Sequence, residues 1–302
     1  MEKEIIGAGI KSGVRVNPKV FIVILNYNGK DVIKKCLTSV FKLDYPNLEV
    51  VLVDNNSIDG SLEMVKSSFS KINFIKNEEN LGFGAGNNIG IRFALERMAD
   101  FVLLLNNDTE VEKDFLTKLI DVAQVDEKVG ILSPVIFDGN SKKVWFSGGK
   151  IDWLRMRTQH LQKIQTEDYY SSDFIAGCSM LVRAEVFKKI GLFDEDFFLY
   201  WEDADFSLRA KRAGFANSVV SGSWIYHFEK SEQAKSNKIY WLVISGLIFF
   251  KKNTPFWLKP WVKIYAMIRK IKNWLDIKFG KKELALTVQK AYKDYQSYAK
   301  LK

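Results

Sequence analysis

Four apolar runs, each followed by a helical pattern, occupy the first 130 residues of this 302-residue chain. The runs predict strands at 20–25, 48–54, 72–77 and 101–105, and the segments that follow them predict helices at 30–41, 59–69, 86–98 and 113–123. Strands that are apolar along their whole length are buried on both faces, as in a parallel sheet whose connections are helices. The pattern therefore predicts an α/β fold with a Rossmann-like, mainly parallel sheet and helices on both faces.

The second half of the chain is patterned differently. Strands are predicted at 131–137 and 174–182, and short helices at 184–190 and 203–213. Residues 136–170 are polar and irregular, which is typical of an insertion that covers a site. We predict an N-terminal extension at 1–17, a main domain at 18–238 with halves at 18–130 and 131–238, and a C-terminal helical region at 239–302.

Basic residues are concentrated near the carboxyl end of the chain. Residues 230–302 contain 17 Lys and Arg against 4 Asp and Glu, whereas residues 1–229 contain 28 against 32. The net charge of +9 therefore comes from the tail and not from the main fold. Such a local excess of positive charge indicates a contact with an anionic partner.

Cysteine usage and the first residues predict the compartment. Cys36 and Cys178 are too few for a disulfide framework, and no CxxC pair predicts a zinc site. The first residues include acids and lack the apolar core of a signal peptide. We therefore expect a reducing, cytoplasmic setting.

The first of two acidic clusters ends the predicted strand at 101–105. An Asn-Asn-Asp sequence follows at 106–108. Ligands bind at the carboxyl ends of strands in open α/β sheets, so Asp108 is suited to a divalent ion that bridges two phosphates. Asn106 offers only a neutral carbonyl oxygen to a metal. The alternative is that the Asn-Asn-Asp segment is a loop with a capping role. Residues 109–110 are predicted to continue into a helix.

The second cluster, Glu202, Asp203 and Asp205, follows an aromatic run at 197–201. The pKa of a carboxylate beside aromatic side chains can be tuned for proton transfer, which suits a general base. Three acids at a helix N-terminus would also complement the helix dipole, but that alternative leaves the aromatic run unexplained. Together the two clusters indicate transfer of a group from a nucleotide-activated donor.

Three further features admit two interpretations each. Asp54 ends the predicted strand at 48–54, where it could contact a base or ribose, or else form an Asx turn or a helix cap. The glycine-rich turn at 80–90 lets a backbone approach an anion, yet it follows the third strand, which argues against a dinucleotide fingerprint. His227 follows an apolar run and is either structural or a metal ligand.

Taken in order, these segments resemble a known family. The series VILNYNG, VDNNS, NLGFGAGNN, LLNND, AGCSMLVR and GLFDEDFFLYWEDADFSLRAKRAGF, with a later histidine, is similar to glycosyltransferase family 2, and within it to bacterial rhamnosyltransferase-type enzymes of surface polysaccharide assembly. The resemblance covers about residues 18–230. It implies the GT-A fold, a UDP- or dTDP-linked sugar donor, a divalent metal (Mg²⁺ or Mn²⁺) and a single displacement with inversion at the anomeric carbon.

The resemblance also implies roles for individual residues. Asp203 matches the general base, with Glu202 beside it in the catalytic centre. Metal binding rests mainly on Asp108 and His227, because Asn106 replaces the first acid of the family's motif. The remaining positions are implied to bind the nucleotide sugar (Tyr27, Asn28, Asp54, Asn80, Gly82 and Asn107) or to line the acceptor side (Gly177, Cys178 and Trp201).

The C-terminal region, 239–302, has the composition of a membrane-surface element. Its apolar run at 239–250 is too short to span a bilayer as a helix. Tryptophan and aliphatic residues follow at helical spacing, interleaved with Lys and Arg, as in a helix that lies on an anionic membrane. A packed helical subdomain or a homo-oligomer interface is the alternative. Nucleic-acid binding is not expected, since no recognisable module accompanies the basic residues.

The sequence therefore predicts a metal-assisted inverting glycosyltransferase. Its acceptor would be a hydroxyl of a lipid-linked or polysaccharide substrate, and the enzyme would be peripherally associated with the inner face of the cell membrane. The alternative is a catalytically silent subunit of the same fold that binds a nucleotide sugar or a glycan.

Overall fold

The computed structural model describes residues 17–229, 235–280 and 282–301, so residues 1–16 of the predicted extension lie outside the described part. The first half contains β1 (Val20–Asn26), α1 (Ile33–Val40), β2 (Leu48–Asp54), α2 (Ser61–Ser68), β3 (Ile72–Lys76), α3 (Phe83–Glu96), β4 (Phe101–Asn106), β5 (Thr109–Val111) and α4 (Phe115–Val125). The second half contains β6 (Val129–Asp138), β7 (Val144–Phe146), β8 (Gly149–Asp152), β9 (Arg157–His160), β10 (Tyr169–Ser171), β11 (Ser179–Arg183), α5 (Ala184–Ile190), α6 (Glu202–Arg212) and β12 (Ala216–His227). The C-terminal helices are α7 (Lys235–Asn253), a 3₁₀ turn (Phe256–Leu258), α8 (Lys259–Lys278) and α9 (Lys282–Leu301).

The main sheet has the strand order β10-β12-β6-β11-β4-β1-β2-β3. As the apolar patterns predicted, β4, β1, β2 and β3 are parallel, whereas β11 is antiparallel to both β4 and β6. Nearly all side chains of β1 and β4 are buried because helices cover the sheet. At the carboxyl edge Asn26 pairs with Asp54, and Asn106 lies one strand away. This register brings polar side chains together at one edge of an apolar sheet.

The structure corrects the prediction that the chain enters a helix at 109–110. Residues Thr109–Val111 form β5, which pairs antiparallel with the end of β12 so that Thr109 lies opposite His227. The backbone N–H of Phe228 also donates to the Asp108 carbonyl at 2.8 Å. Pairing with the distant strand β12 thus overrides the local helical pattern. The same pairing places His227 next to the end of β4.

The polar segment at 136–170 is more ordered than its sequence indicated. Strand β7 pairs with β6, while β8 and β9 form a separate two-stranded sheet. Trp145 and His160 pack edge to face with 4.5 Å between their ring centroids. Both side chains border the cavity described below, so this segment reaches the polar edge of the main sheet.

The C-terminal helices form a layer in which α9 packs against both α7 and α8. Helix α7 also packs on α6. The predicted boundary between residues 238 and 239 falls inside α7. Among the residues that the structure describes, no helix combines the length and the apolar character needed to cross a bilayer.

Candidate active site

The side chain of Asn26 connects the ends of three strands. Its Nδ2 lies 3.0 Å from Asp54 Oδ1 and 2.9 Å from Ser61 Oγ, and its Oδ1 accepts a hydrogen bond of 2.8 Å from Asn107. Gly29 packs so closely here that an added Cβ would lie 2.4 Å from Asn26 Oδ1. Sequence reasoning did not single out Asn26, although its position at the end of the first apolar strand marked it as a residue of the carboxyl edge.

Asp54 is fully buried at the end of β2. Its Oδ1 accepts from Asn26 and its Oδ2 accepts from the backbone N–H of Ser57 at 2.9 Å. The Ser57 hydroxyl in turn accepts from the backbone N–H of Asn28. Asp54 therefore holds together the two loops that follow β1 and β2.

The turn before α3 is held by a chain of amide side chains. Asn77 donates to Asn55, and Asn55 Nδ2 donates to Asn80 Oδ1 at 3.1 Å and to the Gly82 carbonyl at 3.0 Å. Gly82 has a φ of +80°, and an added Cβ would lie 2.3 Å from the Phe198 carbonyl oxygen. The turn requires glycine for both reasons, and it fixes the loop that leads into α6.

Asp108, two residues beyond β4, meets His227, the last residue of β12. His227 Nε2 lies 3.1 Å from Asp108 Oδ1, yet the buried Asp108 Oδ1 and His227 Nδ1 have no hydrogen-bond partner in the described part of the chain. Burial disfavours the imidazolium, but the neighbouring Cys178 and Asp108 favour it, so the pKa of His227 lies above its ordinary value. The ring of Trp145 covers His227 edge to face at 4.8 Å.

This pair fits a divalent metal ion. The buried carboxylate oxygen of Asp108 and the imidazole of His227 face one cavity, and a metal ion that displaces the imidazolium proton would find an oxygen and a nitrogen ligand there. Within residues 17–229, 235–280 and 282–301 no group of three or more His, Cys, Asp and Glu side chains could hold a metal. Mg²⁺ keeps several waters and is often held by one or two carboxylates together with substrate phosphates, so a partial protein site is sufficient.

Asp203 and Glu202 begin α6. Asp203 Oδ2 accepts from the backbone N–H of Gly177 at 3.0 Å, and its Oδ1 accepts from that of Ala204 at 2.7 Å. Burial raises the pKa of the half-buried Asp203, although these two donors oppose the shift. Glu202 is buried with an unpartnered Oε2, and burial together with the charge of Asp203 raises its pKa well above the ordinary value. A positioned carboxylate with a raised pKa is suited to accept a proton.

The third acid of this cluster has a structural role. Asp205 is buried, and its Oδ2 accepts from Arg209 Nε at 2.7 Å. Its Oδ1 accepts from Asn253 Nδ2, also at 2.7 Å. Arg212 donates to the same asparagine. Asp205 therefore attaches α6 to the end of α7 and does not line the cavity.

A cavity of about 430 Å³ joins the metal-ligand pair to the α6 carboxylates. The segment between them connects both features, because Gly177 donates to Asp203 and the Cys178 carbonyl accepts from the backbone N–H of Asn106 at 2.9 Å. The predicted site residues that line the cavity are Tyr27, Asn28, Asn106, Asn107, Asp108, Gly177, Cys178, Trp201, Glu202, Asp203 and His227. Asp54, Asn80 and Gly82 lie outside its lining and shape the loops around it.

Helix α7 forms part of the wall, which the sequence did not indicate. Trp201 has a φ of +73°, an uncommon backbone conformation for a bulky residue. Its indole Nε1 donates to the Leu242 carbonyl at 3.1 Å. An added Cβ at Gly246 would lie 3.2 Å from the indole ring. Leu242 and Lys238 of α7 line the cavity together with Trp145 and His160 of the 136–170 segment.

Comparisons with known proteins identify the family. Residues 21–191 match the family model described as Glycosyl transferase family 2. A low-salt glycan biosynthesis hexosyltransferase of Haloferax volcanii is 30% identical over 63% of this chain and 61% of its own length. A dTDP-rhamnosyl transferase of Shigella flexneri is 26% identical over 70% of each chain. An N-acetylglucosaminyl-diphospho-decaprenol L-rhamnosyltransferase of Mycobacterium tuberculosis is 25% identical over 68% of this chain and 75% of its own.

Solved structures share the fold. GalNAc-T7 with UDP, GalNAc and Mn²⁺ superimposes with a TM-score of 0.63 at 19% identity, covering 84% of this chain and 55% of the other. A mannosyltransferase of Pyrobaculum calidifontis with GDP-Man and Mn²⁺ gives a TM-score of 0.59 at 16% identity, covering 94% and 76%. The sheet order and these superpositions confirm the predicted GT-A fold with added C-terminal helices. The family match and the rhamnosyltransferase relatives confirm the resemblance drawn from the motifs, and the chain is an enzyme that belongs to glycosyl transferase family 2.

Proposed function

We propose that this chain transfers a sugar from a UDP- or dTDP-linked donor to a hydroxyl of a lipid-linked or polysaccharide acceptor, with inversion at the anomeric carbon. The observation that carries the proposal is the shared cavity. It joins a positioned carboxylate, Asp203, to the Asp108–His227 pair. A general base and a diphosphate site at opposite ends of one cavity are what a direct displacement needs.

The reaction follows from the position of Asp203. Its carboxylate takes the proton from the acceptor hydroxyl while that oxygen forms a bond to the anomeric carbon. The bond from the anomeric carbon to the diphosphate breaks, and the leaving nucleoside diphosphate keeps the electron pair. Two backbone donors, Gly177 and Ala204, hold the Asp203 oxygens in place during this step. Burial and the charge of Asp203 raise the pKa of the neighbouring Glu202, which disfavours a second negative charge beside the base.

Asp108 and His227 are the proposed ligands of Mg²⁺ or Mn²⁺, with Asn106 contributing at most a carbonyl oxygen. When bound, such an ion would neutralise charge on the diphosphate of the donor. The buried position of Asp108 Oδ1, 3.1 Å from His227 Nε2, supports this assignment. The solved neighbours that contain Mn²⁺ support metal use by this fold.

The nucleotide part of the donor is assigned to the loops after β1, β2 and β4. Tyr27, Asn28 and Asn107 line the cavity there, and Tyr27 is half-exposed, as a residue that stacks on a base would be. Asp54, Asn80 and Gly82 support these loops by the hydrogen bonds described above. The dTDP in the name of the Shigella relative supports a pyrimidine nucleotide.

The acceptor is assigned to the side of the cavity formed by Gly177, Cys178 and Trp201. The name of the Mycobacterium relative includes a diphospho-decaprenol, which supports a lipid-linked acceptor. Such an acceptor lies in a membrane, and the basic region 239–302 is suited to an anionic membrane surface. We place the enzyme peripherally at the inner face of the cell membrane.

Calorimetry with UDP, dTDP and GDP, each with Mg²⁺, Mn²⁺ or EDTA, tests the donor site. Binding of UDP or dTDP that EDTA removes supports the proposal, whereas preference for GDP or binding unaffected by EDTA contradicts it. With the donor identified, the anomeric configuration of the product by NMR tests inversion. Retention of configuration would exclude the single displacement.

A further inference from the structure

Helix α8 differs from its neighbours because none of its residues is buried. In α7, Ile248, Phe249 and Phe250 are buried against the body of the protein. In α9, Ala291 and Tyr292 are buried between the other two helices. Helix α8 rests on this layer from outside, held by contacts such as the hydrogen bond from Asn273 Nδ2 to the Ala285 carbonyl at 3.0 Å.

The two faces of α8 differ in what they contact. Val262, Tyr265 and Ala266 pack against the hydrophobic core. Large apolar side chains on the other face remain exposed, including Trp257 just before the helix at 66%, Met267 at 56% and Trp274 at 55%. The full set, which we call the outer strip, is Phe256, Trp257, Trp261, Ile264, Met267, Ile268, Ile271, Trp274, Leu275 and Phe279. Within α8 its members recur every three or four residues, so they form one continuous face.

Basic residues border the outer strip. Helix α8 contains Lys259, Lys263, Arg269, Lys270, Lys272 and Lys278, with Asp276 as its one acid. At roughly 100° per residue, Lys263 and Lys272 fall on opposite edges of the strip. Lys278 Nζ lies 5.3 Å from the ring centroid of Trp274, so charge and aromatic surface are adjacent.

We infer that the outer strip of α8 is a lipid-binding surface that enters the headgroup region of a membrane containing anionic phospholipids. The inference specifies the membrane partner of the proposed function and rests on that proposal. The apolar face with its tryptophans is suited to the boundary between headgroups and acyl chains, and the bordering lysines are suited to the anionic headgroups. At roughly 30 Å the helix is long enough to lie in the membrane plane. Two copies joined through this face would bring two sets of basic side chains together, which disfavours a dimer.

The surface is connected to the active site through α7. Asn253, at the end of α7, binds Asp205 and Arg212 of α6, and Leu242, near the middle of α7, accepts a hydrogen bond from Trp201. Trp261 of the strip also donates from its indole nitrogen to the Leu154 carbonyl of the 136–170 segment at 2.9 Å. Helix α8 is therefore attached to the same body that carries the acceptor side of the cavity.

Vesicle co-sedimentation of the full chain tests the inference. Wild-type protein is expected to bind phosphatidylcholine vesicles containing phosphatidylglycerol, and to bind less when salt screens the charges. Ile268→Glu/Ile271→Glu should weaken binding by more than about tenfold, since it puts two carboxylates on the inserted face. Met98→Glu/Val125→Glu is the matched control, because those side chains are also exposed and lie elsewhere on the surface. Quenching of tryptophan fluorescence by brominated lipid should accompany binding and be lost in Ile268→Glu/Ile271→Glu.

Three results would overturn the inference: equal binding by both double variants, no binding by the wild type, or concentration-dependent dimerisation in ultracentrifugation that Ile268→Glu/Ile271→Glu abolishes. The last result would assign the strip to a second copy of the chain. Unchanged thermal unfolding and donor binding in Ile268→Glu/Ile271→Glu would show that its fold is intact. Donor binding is measured without vesicles, so a failure of the proposed transferase activity is separable from a failure of lipid binding.

Discussion

The backbone N–H of Gly177 donates a hydrogen bond of 3.0 Å to Oδ2 of Asp203. A side chain at position 177 would disturb this arrangement, because an added Cβ would lie 2.9 Å from the ring of Phe83. The contact joins the loop before β11 to the first turn of α6, and it orients the carboxylate that we propose as the general base. In the same loop, the Cys178 carbonyl accepts a hydrogen bond from the backbone N–H of Asn106 at the end of β4. One short segment therefore positions both ends of the cavity.

Glu202 should make the stability of the protein depend on pH. Its folded-state pKa is raised by burial and by Asp203, from a starting value of 4.5. Above pH 4.5 the unfolded chain releases this proton while the folded chain keeps it, so stability falls as pH rises towards the folded-state pKa. Glu202→Gln removes this titration. We therefore expect the variant to gain stability relative to the wild type at pH 8 compared with pH 5, measured by denaturant unfolding. An equal difference at both pH values would contradict a raised pKa of Glu202 in the folded protein.

Asp108→Asn should weaken metal-dependent donor binding. The variant keeps the shape of the side chain but removes the charge next to His227, so the affinity for Mn²⁺ with nucleoside diphosphate should fall by about tenfold or more. Glu110→Gln is a suitable control, since residue 110 is nearby on β5 and does not line the cavity. Calorimetry with and without EDTA provides the measurement. Identical metal dependence in Asp108→Asn and the wild type would remove Asp108 from the metal site.

Gly82→Ala should destabilise the protein more than Gly191→Ala. Both glycines combine a positive φ, +80° and +76°, with an extended ψ, −173° and −168°, a region essentially confined to glycine that costs a residue with a side chain about 1–3 kcal/mol. At Gly191 an added Cβ meets nothing within 4 Å, whereas at Gly82 it would lie 2.3 Å from the Phe198 carbonyl oxygen. The difference in unfolding free energy, about 1–3 kcal/mol for an overpacked site, isolates the contact between this turn and the loop before α6. Equal losses would show that the turn tolerates a Cβ there.

Much of the fold follows from patterns within single segments. The continuous apolar strands β1, β2 and β4 predicted a parallel arrangement, because only a sheet covered on both faces buries every side chain. The helix at 184–190 was predicted correctly, since its apolar spacing is local. Strand β5 was missed because its partner, the end of β12, lies more than a hundred residues along the chain, and local sequence contains no record of that pairing.

In the candidate site, too, features that depend on local motifs were predicted, and features that depend on distant contacts were not. Asp108, His227 and Asp203 were identified from motifs, and the structure brings them to one cavity. Asn26 and the wall formed by α7 were missed, because their roles depend on side-chain contacts between distant segments. In particular, Trp201 reaches Leu242 only through two consecutive left-handed residues, Tyr200 and Trp201, which aromatic residues rarely adopt. Such a conformation is held by tertiary packing and leaves no local signal.

The most direct test of the account is the turnover of Asp203→Asn with the identified donor and acceptor. We expect kcat to fall by about 10² to 10⁴, the usual contribution of a general base, with donor affinity unchanged. Glu185→Gln, an exposed carboxylate on α5, should keep wild-type kcat. Because the pKa of Asp203 is raised, wild-type kcat/KM should fall on the acid side at a pH above the usual aspartate range. A near-wild-type kcat in Asp203→Asn would contradict the proposed mechanism.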